Sequence, residues 1–378
     1  MSIKRKGREF FYMRELKKFE GCLLGGAAGD ALGYAVEFKS AEEIKKKYGD
    51  GGITRYELKD GKALISDGTQ MTMFTANGIL FGATRERLNG IMAPVCHYIH
   101  KAYKDWFRTQ MPGLFKDEDI VSWIYYLRAI QSKRAPGSTC LYALSSGVMG
   151  ALEHPINSSK GCGGMVRVAP IGLYFDKEEY GTERIDLMGA KAAAITHGHP
   201  LGFVSASAFV HIINNAAYTD ENLYNIVYDC IDTLEGTKET YPETADLIEL
   251  IERAVRLAGR EMDDAEAIRR LCRNGGLCGD EALAVGIYCS LKYQNSFEKA
   301  IVAAVNHSGD SNSTGAVTGS IIGAYLGVDA IPEYYLENLE LKIEIEELAN
   351  DLFTGCPEDV EHNESWKRKY IDCDRRMK

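Results

Sequence analysis

Apolar and small residues recur at helical spacing through most of this 378-residue chain. The stretch LKKFEGCLLGGAAGDALGYAVEF, residues 16–38, is apolar and rich in small residues, which indicates a buried, closely packed helix. A second helix is predicted over 69–88, where Met71 and Phe74 follow helical spacing and Ser66 is a suitable N-cap. The same periodicity predicts helices in four further segments: 118–131, 138–152, 186–214 and 280–293.

The second half of the chain adds two further helical patterns. Residues 220–274 alternate charged and apolar positions, as surface helices do. Residues 313–327 carry Gly315, Gly319 and Gly323 four positions apart, so one bare helix face would let another helix approach closely. Convincing strands are scarce, and we find neither an internal repeat nor a low-complexity linker. The pattern therefore predicts a single all-α domain, a compact bundle of orthogonally packed helices.

The amino-acid composition argues against two classes of protein, general nucleic-acid binders and membrane-spanning proteins. Hydrophobic residues make up 45 % and charged residues 26 %, as in soluble globular proteins. A net charge of −10 argues against general nucleic-acid binding, and no apolar run reaches the ~18 residues that a membrane span needs. The ten cysteines form no CxxC pair. Because the basic start of the chain lacks an apolar signal core, we interpret them as free thiols of a cytoplasmic protein.

The charge pattern also predicts domain boundaries. Residues 1–16 are interpreted as an N-terminal extension, residues 17–355 as the helical domain, and residues 356–378 as a charged C-terminal tail.

Two short segments concentrate oxygen donors immediately before predicted helices. NHSGDSNSTG, residues 306–315, contains Asp310, Asn312 and Ser313, and ISDGTQMT, residues 65–72, contains Ser66 and Asp67. Mg²⁺ and similar hard cations prefer such oxygen ligands. The same residue types are also good helix N-caps. Spacing alone therefore leaves open both a shared metal site and a pair of simple caps.

Two loops are candidates for ligand binding. NSSKGCGGMVRVAPIGL, residues 157–173, exposes backbone N–H groups that could cradle a phosphate or diphosphate, although a tight turn has the same composition. The residues proposed for this contact are Gly161, Gly163, Gly164 and Arg167. THGHP, residues 196–200, places His197 and His199 two positions apart, which fits a zinc site or, alternatively, stacking and capping.

Six motifs together resemble the ADP-ribosylglycohydrolase family. In chain order, over about residues 17–330, they are GCLLGGAAGDALGYAVEF, SDGTQMT, RAPGSTC, NSSKGCGGMVRVAPIGL, THGHP and NHSGDSNSTGAVTGSIIGAYLG. The resemblance implies an all-α fold and a binuclear Mg²⁺ or Mn²⁺ site. It also implies removal of ADP-ribose from protein side chains or related acceptors, by cleavage at the ribose anomeric carbon.

The resemblance assigns a role to each candidate residue. The implied metal ligands are Ser66, Asp67, Asp310, Asn312 and Ser313. Glu37 and Asp67 are the implied catalytic residues. The glycine loop and Arg167 would contact the diphosphate, and His197 would lie near the adenosine half.

Two positions depart from the family pattern. Gly68 and Asn312 stand where the family has aspartates, so Asp67 and Asp310 are the only carboxylates of the two metal motifs. Two divalent ions a few ångströms apart repel by several kcal/mol even at a dielectric constant of ~20. One ion is therefore easier to hold than two. The leading hypothesis is a hydrolase acting on an ADP-ribosylated protein or small acceptor. The alternative is a weak or inactive homologue that binds ADP-ribose or a related nucleotide.

Overall fold

The computed structural model describes residues 15–90, 93–113 and 119–373. Within these ranges the chain forms α-helices and short 3-10 turns, and no β-strand, so the predicted all-α class is confirmed. In chain order the helices are α1 Leu16–Tyr34, α2 Ala41–Tyr48, α3 Asp67–Asn89, α4 Val95–Gln110, α5 Ser138–Ser145, α6 Ala169–Tyr174, α7 Lys177–Tyr180, α8 Thr182–Ala194, α9 Pro200–Tyr218, α10 Leu223–Glu235, α11 Thr244–Ala258, α12 Asp264–Leu271, α13 Gly279–Lys292, α14 Phe297–Val305, α15 Ser311–Leu326, α16 Glu333–Leu336, α17 Lys342–Thr354 and α18 Glu364–Tyr370.

Helices α1 and α15 are in direct backbone contact along their glycine faces. A Cβ atom on Gly29 would lie 2.0 Å from the Gly315 carbonyl oxygen, and one on Gly319 would lie 2.0 Å from that of Gly25. Neither distance leaves room for any side chain. The bare face predicted for residues 313–327 is thus confirmed. Because the two helices run antiparallel, the contact brings the end of α1 next to the start of α15.

The predicted helix boundaries differ from the structure in three segments. Within the described part of 118–131, only a 3-10 turn at Trp123–Tyr126 forms. The helix expected over 138–152 ends at Ser145, and Gly147 follows with a φ of +72°. The segment 186–214 is two helices, because Pro200 starts α9 and the His199 side chain caps it by accepting from the Leu201 N–H at 3.0 Å. Local turn chemistry therefore outweighs apolar periodicity at these points.

The C-terminal segment is integrated into the domain. The Trp366 indole donates to the Thr84 hydroxyl at 2.9 Å, and the Tyr370 hydroxyl donates to Asp351. Both aromatic side chains are buried. Residues up to 373 therefore pack against the helical body instead of forming a separate tail, whereas 1–14 and 374–378 lie outside the described residues. No helix in the described ranges is long and apolar enough to span a membrane.

The close contact between α1 and α15 leads to a stability prediction. Gly319→Ala should lower the free energy of unfolding by about 1–3 kcal/mol or more, because the new methyl group must push two helix backbones apart. Gly259→Ala is the matched control, since nothing lies within 4 Å of a Cβ at that position. Urea unfolding would compare the two variants. Equal stabilities would contradict the backbone contact.

Candidate active site

The end of α1 and the starts of α3 and α15 surround one cleft of about 520 Å³. The two oxygen-rich segments, more than two hundred residues apart in sequence, therefore meet in space. The predicted site residues that line this cleft are Glu37, Ser66, Asp67, Gly161, Gly163, His197, Asp310, Asn312 and Ser313. Gly68 lines it as well. The glycine loop and the oxygen donors are thus walls of the same cavity.

Asp30, on α1, is a cleft residue that the sequence analysis missed. It is fully buried, and one carboxylate oxygen, Oδ2, accepts from the Ser66 N–H at 2.9 Å and from the Thr69 hydroxyl. The other oxygen, Oδ1, has no hydrogen-bond partner among the described residues. Burial raises the Asp30 pKa to about 6. The sequence signal for Asp30 was an aspartate within a run of small apolar residues, because a carboxylate is seldom buried unless other groups pair with it or donate hydrogen bonds to it.

Asp67 and Asp310 both line the cleft while they accept hydrogen bonds from the protein, and Asp310 Oδ2 accepts from the Cys162 thiol at 3.0 Å. Asp67 Oδ2 accepts from the Gly137 N–H at 2.9 Å. Asp310 caps α15 by accepting from the Ser313 N–H at 3.2 Å, and Ser66 caps α3 by accepting from the Gly68 N–H at 3.1 Å. Capping is therefore confirmed at both helices. It does not exclude cation binding, because capping leaves further oxygen lone pairs free.

The cleft concentrates like charge. Burial, together with the nearby Asp30 and Asp310 carboxylates, raises the pKa of Asp67 to about 7. Burial likewise raises the pKa of Glu37 to about 8, with the same neighbours contributing and a hydrogen bond from Asn312 opposing. Asp30, Glu37, Asp67 and Asp310 therefore repel one another when ionised. A bound cation would relieve this repulsion.

Oxygen donors outnumber sulfur and imidazole donors among the side chains that line the cleft. Across the described ranges, no three His, Cys, Asp or Glu side chains form a ready-made metal centre. Two residues of the cleft lining nevertheless have side-chain oxygens that accept no hydrogen bond from the described residues. Asn312 is buried, and neither its amide oxygen Oδ1 nor Asp30 Oδ1 has a hydrogen-bond partner among the described residues. Buried polar atoms are rarely left unsatisfied. Carboxylate, amide and hydroxyl oxygens of this kind fit a hard divalent cation.

His197 forms the floor beneath the glycine loop. Burial lowers its pKa to about 3, and its Nδ1 lies 2.8 Å from the Thr196 hydroxyl, so the imidazole is neutral. A Cβ on Gly164 would lie 2.9 Å from that same Nδ1. Gly164 does not line the cleft, and its lack of a side chain serves the packing of His197. His199, in contrast, is the cap of α9.

Arg167 does not occupy the position expected for a diphosphate contact. Its side chain is fully buried and does not line the cleft. One guanidinium nitrogen donates to the Thr196 hydroxyl at 2.7 Å and to the Ala192 carbonyl at 3.3 Å, and the group lies over the Tyr103 ring at 4.2 Å. The expectation of direct diphosphate binding by Arg167 is therefore corrected. Arg167 supports the loop from within the core.

Comparisons with known proteins indicate a family and a fold. The sequence profile of the family described as ADP-ribosylglycohydrolase matches residues 13–361. The Rhodospirillum rubrum protein named ADP-ribosyl-[dinitrogen reductase] glycohydrolase is 26% identical over 338 residues, 86% of this chain and 91% of that protein. Mouse ADP-ribosylhydrolase ARH3 is 21% identical, over 90% of this chain and 92% of its own. A solved ADP-ribosylglycohydrolase-related protein complex shares the fold, with a TM-score of 0.57, 21% identity and coverage of 90% of this chain and 98% of that chain.

The new position of Arg167 can be tested through stability. Arg167→Ala should lower the free energy of unfolding by about 3–5 kcal/mol, because it removes buried hydrogen bonds and leaves a large cavity. Arg184→Ala, which truncates an exposed arginine near Tyr180, is the control. Urea unfolding measures both. If the Arg167→Ala protein kept its stability but no longer bound ADP-ribose, the result would support direct contact between Arg167 and the diphosphate.

Proposed function

The chain belongs to the ADP-ribosylglycohydrolase family, and on this premise we propose that it is a hydrolase that removes ADP-ribose from an ADP-ribosylated protein or small acceptor by metal-assisted cleavage at the ribose anomeric carbon. One observation carries the proposal. Four carboxylates and the amide of Asn312 line one cleft beside a glycine loop, and among the described residues one Asp30 oxygen and the Asn312 amide oxygen have no hydrogen-bond partner. This arrangement offers a cation site next to a surface that can accept a diphosphate.

The proposed cation is Mg²⁺ or Mn²⁺, as one or two ions. The residues that would hold it are Asp30, Ser66, Asp67, Asp310, Asn312 and Ser313. The open oxygens of Asp30 and Asn312 support this assignment. When bound, the cation supplies positive charge that orients the ribose hydroxyls and offsets the repulsion among the carboxylates.

The side chains of the chain itself would perform the proton chemistry. Glu37 lines the cleft and is partly exposed, so it can take a proton from the attacking water as general base. Burial and the neighbouring carboxylates raise the pKa of Glu37 to about 8, and a cation held nearby would lower this pKa so that the carboxylate could accept a proton near neutral pH. Asp67 is the second candidate for this role. The remaining carboxylates would stabilise positive charge that develops on the ribose.

The glycine loop would hold the rest of the substrate. Gly161 and Gly163 line the cleft, and neither has a side chain to keep a ligand away from the backbone. Backbone N–H groups at such a loop are suitable donors to a diphosphate. His197, as a neutral imidazole at the floor of the same loop, is available to contact the adenosine half.

A second function, binding without efficient turnover, is favoured by two substitutions in the cleft. Gly68 provides no ligand and Asn312 provides a neutral one. The discriminating experiment is release of ADP-ribose from a panel of ADP-ribosylated peptides and small acceptors, with added Mg²⁺ or Mn²⁺. Release from any linkage supports the hydrolase. Binding of ADP-ribose without release selects the alternative, and neither binding nor release would reject both.

The loop contact predicts a binding defect. Gly163→Val should weaken ADP-ribose binding at least tenfold, about 1.4 kcal/mol, because the branched side chain fills the space beside the backbone donors. The fold should tolerate the change, since the atoms nearest to a Cβ at Gly163 belong to Cys140 and His197 and lie at 3.6 Å and 3.7 Å, which are ordinary van der Waals distances. Gly163→Ala is the milder control. Calorimetric titration measures the affinity, and unchanged binding in the valine variant would refute the placement.

The missing family aspartates predict a gain of function. Gly68→Asp with Asn312→Asp should tighten divalent-metal binding and raise hydrolysis, because two further negative charges face the cation. At position 68 a Cβ would meet Ser66 Oγ at 3.3 Å and a Val166 methyl at 3.5 Å, so the Ser66 hydroxyl must shift by a few tenths of an ångström to accept the new side chain. A carboxylate at this helix start also gains about 0.3–1 kcal/mol from the helix dipole.

The two substitutions should act together, because both new carboxylates would contact the same cation site. Calorimetry of Mg²⁺ and Mn²⁺ binding would compare wild type, both single variants and the double variant. A double variant that binds metal no better than wild type would show that Asp30 and other ligands already compensate for the two substitutions.

A further inference from the structure

We propose that the buried ion pair between Arg134 and Glu340 is a positioning device for Asp67, and that it sets how tightly the cleft holds a cation without touching the cation or the substrate. The inference rests on the proposed function, in which Asp67 is a cation ligand. It gives a role to the RAPGSTC motif, residues 134–140, which the mechanism described above leaves without one.

The turn at residues 134–137 holds Asp67 directly. The Asp67 N–H donates to the Arg134 carbonyl at 2.9 Å, and the Gly137 N–H donates to Asp67 Oδ2 at 2.9 Å. Within this turn Ala135 has a φ of +53°, in the left-handed region that residues other than glycine seldom adopt. The turn therefore fixes both the backbone and the carboxylate of Asp67.

A second segment, just before α17, pairs with the chain immediately upstream of the α3 N-cap. Ala63 donates its N–H to the Asn338 carbonyl at 2.8 Å, and Glu340 donates its own N–H to the Ala63 carbonyl at 3.0 Å. The Glu340 carboxylate extends this pairing, because its Oε2 accepts from the Ile65 N–H at 3.3 Å. The approach to α3 is thus held by a part of the chain that lies beyond all six sequence motifs.

The ion pair joins these two supports. Arg134 Nη2 donates to Glu340 Oε1 at 2.6 Å, and only 14% of the arginine side chain and 10% of the glutamate side chain are exposed. One carboxylate therefore contacts the turn through Oε1 and the Ile65 backbone through Oε2. Neither side chain of the pair lines the cleft. The pair can act on a cation only through the position of the segment that carries Asp67.

Stability alone does not account for this ion pair. A buried ion pair often contributes no more to stability than apolar side chains of the same size. Arg134 Nε is buried and has no hydrogen-bond partner among the described residues, so the guanidinium is incompletely satisfied. The pair supplies a directed contact at both supports, which apolar side chains could not. Groups that orient metal ligands without binding the metal commonly change its affinity by about 10–100-fold when they are replaced.

Amide hydrogen exchange tests the position of the segment without metal or substrate. Glu340→Ala should speed exchange in peptides that cover residues 63–70, because it removes the acceptor of the Ile65 N–H and the partner of Arg134. It should also weaken Mg²⁺ binding, measured by calorimetry, by about tenfold or more. Arg134→Lys, which keeps a positive charge opposite Glu340, should have smaller effects than Arg134→Ala in both measurements.

Asp351→Ala is the matched control. Asp351 and Lys369 form a comparably buried ion pair, with side chains 9% and 10% exposed, and neither residue lines the cleft. The control should lower stability to urea as Glu340→Ala does, while exchange at 63–70 and Mg²⁺ affinity stay at the wild-type values. An equal loss of Mg²⁺ affinity in the two variants would show that Glu340 acts through general stability, and it would overturn the inference.

The outcomes also separate this inference from the proposed function. Unchanged Mg²⁺ affinity in Glu340→Ala, with or without faster exchange, would overturn the positioning role. If the wild-type protein still released ADP-ribose with Mg²⁺, the proposed hydrolase would stand. A wild-type protein that bound neither Mg²⁺ nor Mn²⁺ would overturn the cation site and this inference together. Circular dichroism of each variant would verify that it is folded.

Discussion

The backbone contact between α1 and α15 is the constraint on which the site depends. Gly29 and Gly315 bring the two helices closer than any side chain would permit. Asp30 comes immediately after Gly29, and Asp310 caps the start of α15. Short side chains such as Asp, Asn and Ser reach only a few ångströms from their backbones. They can share a ligand only because the helices that carry them are nearly in contact.

That arrangement places the protein under electrostatic strain. Burial raises the pKa of Asp30, Glu37 and Asp67 toward or above neutrality, so full ionisation of the cleft is unfavourable. A scaffold selected for stability alone would replace these groups with apolar residues. The rigid glycine contact and the hydrogen bonds from Ser66 and Thr69 to Asp30 hold the charges in place regardless. This is the trade-off expected of a functional site.

The sequence was sufficient for features that depend on local pattern. The helical class, the glycine face of α15 and the meeting of the two oxygen-rich segments could all be anticipated, because periodicity and helix-start chemistry are local. Asp30 could not be, since its partners Ser66 and Thr69 come from another helix far along the chain. Arg167 was misplaced for a similar reason. A guanidinium beside a glycine loop resembles a phosphate ligand until the core that surrounds it is known.

The charge of the cleft illustrates the same difference between motif and structure. Counted along the two metal motifs, Asp67 and Asp310 are the only carboxylates, and Gly68 and Asn312 look like losses. Counted in space, Asp30 and Glu37 join them in the lining of the cleft. A cation responds to every donor within reach, whichever segment supplies it. The metal binding proposed for this site therefore depends on the helix crossing as a whole, and a substitution within one motif can be offset from another.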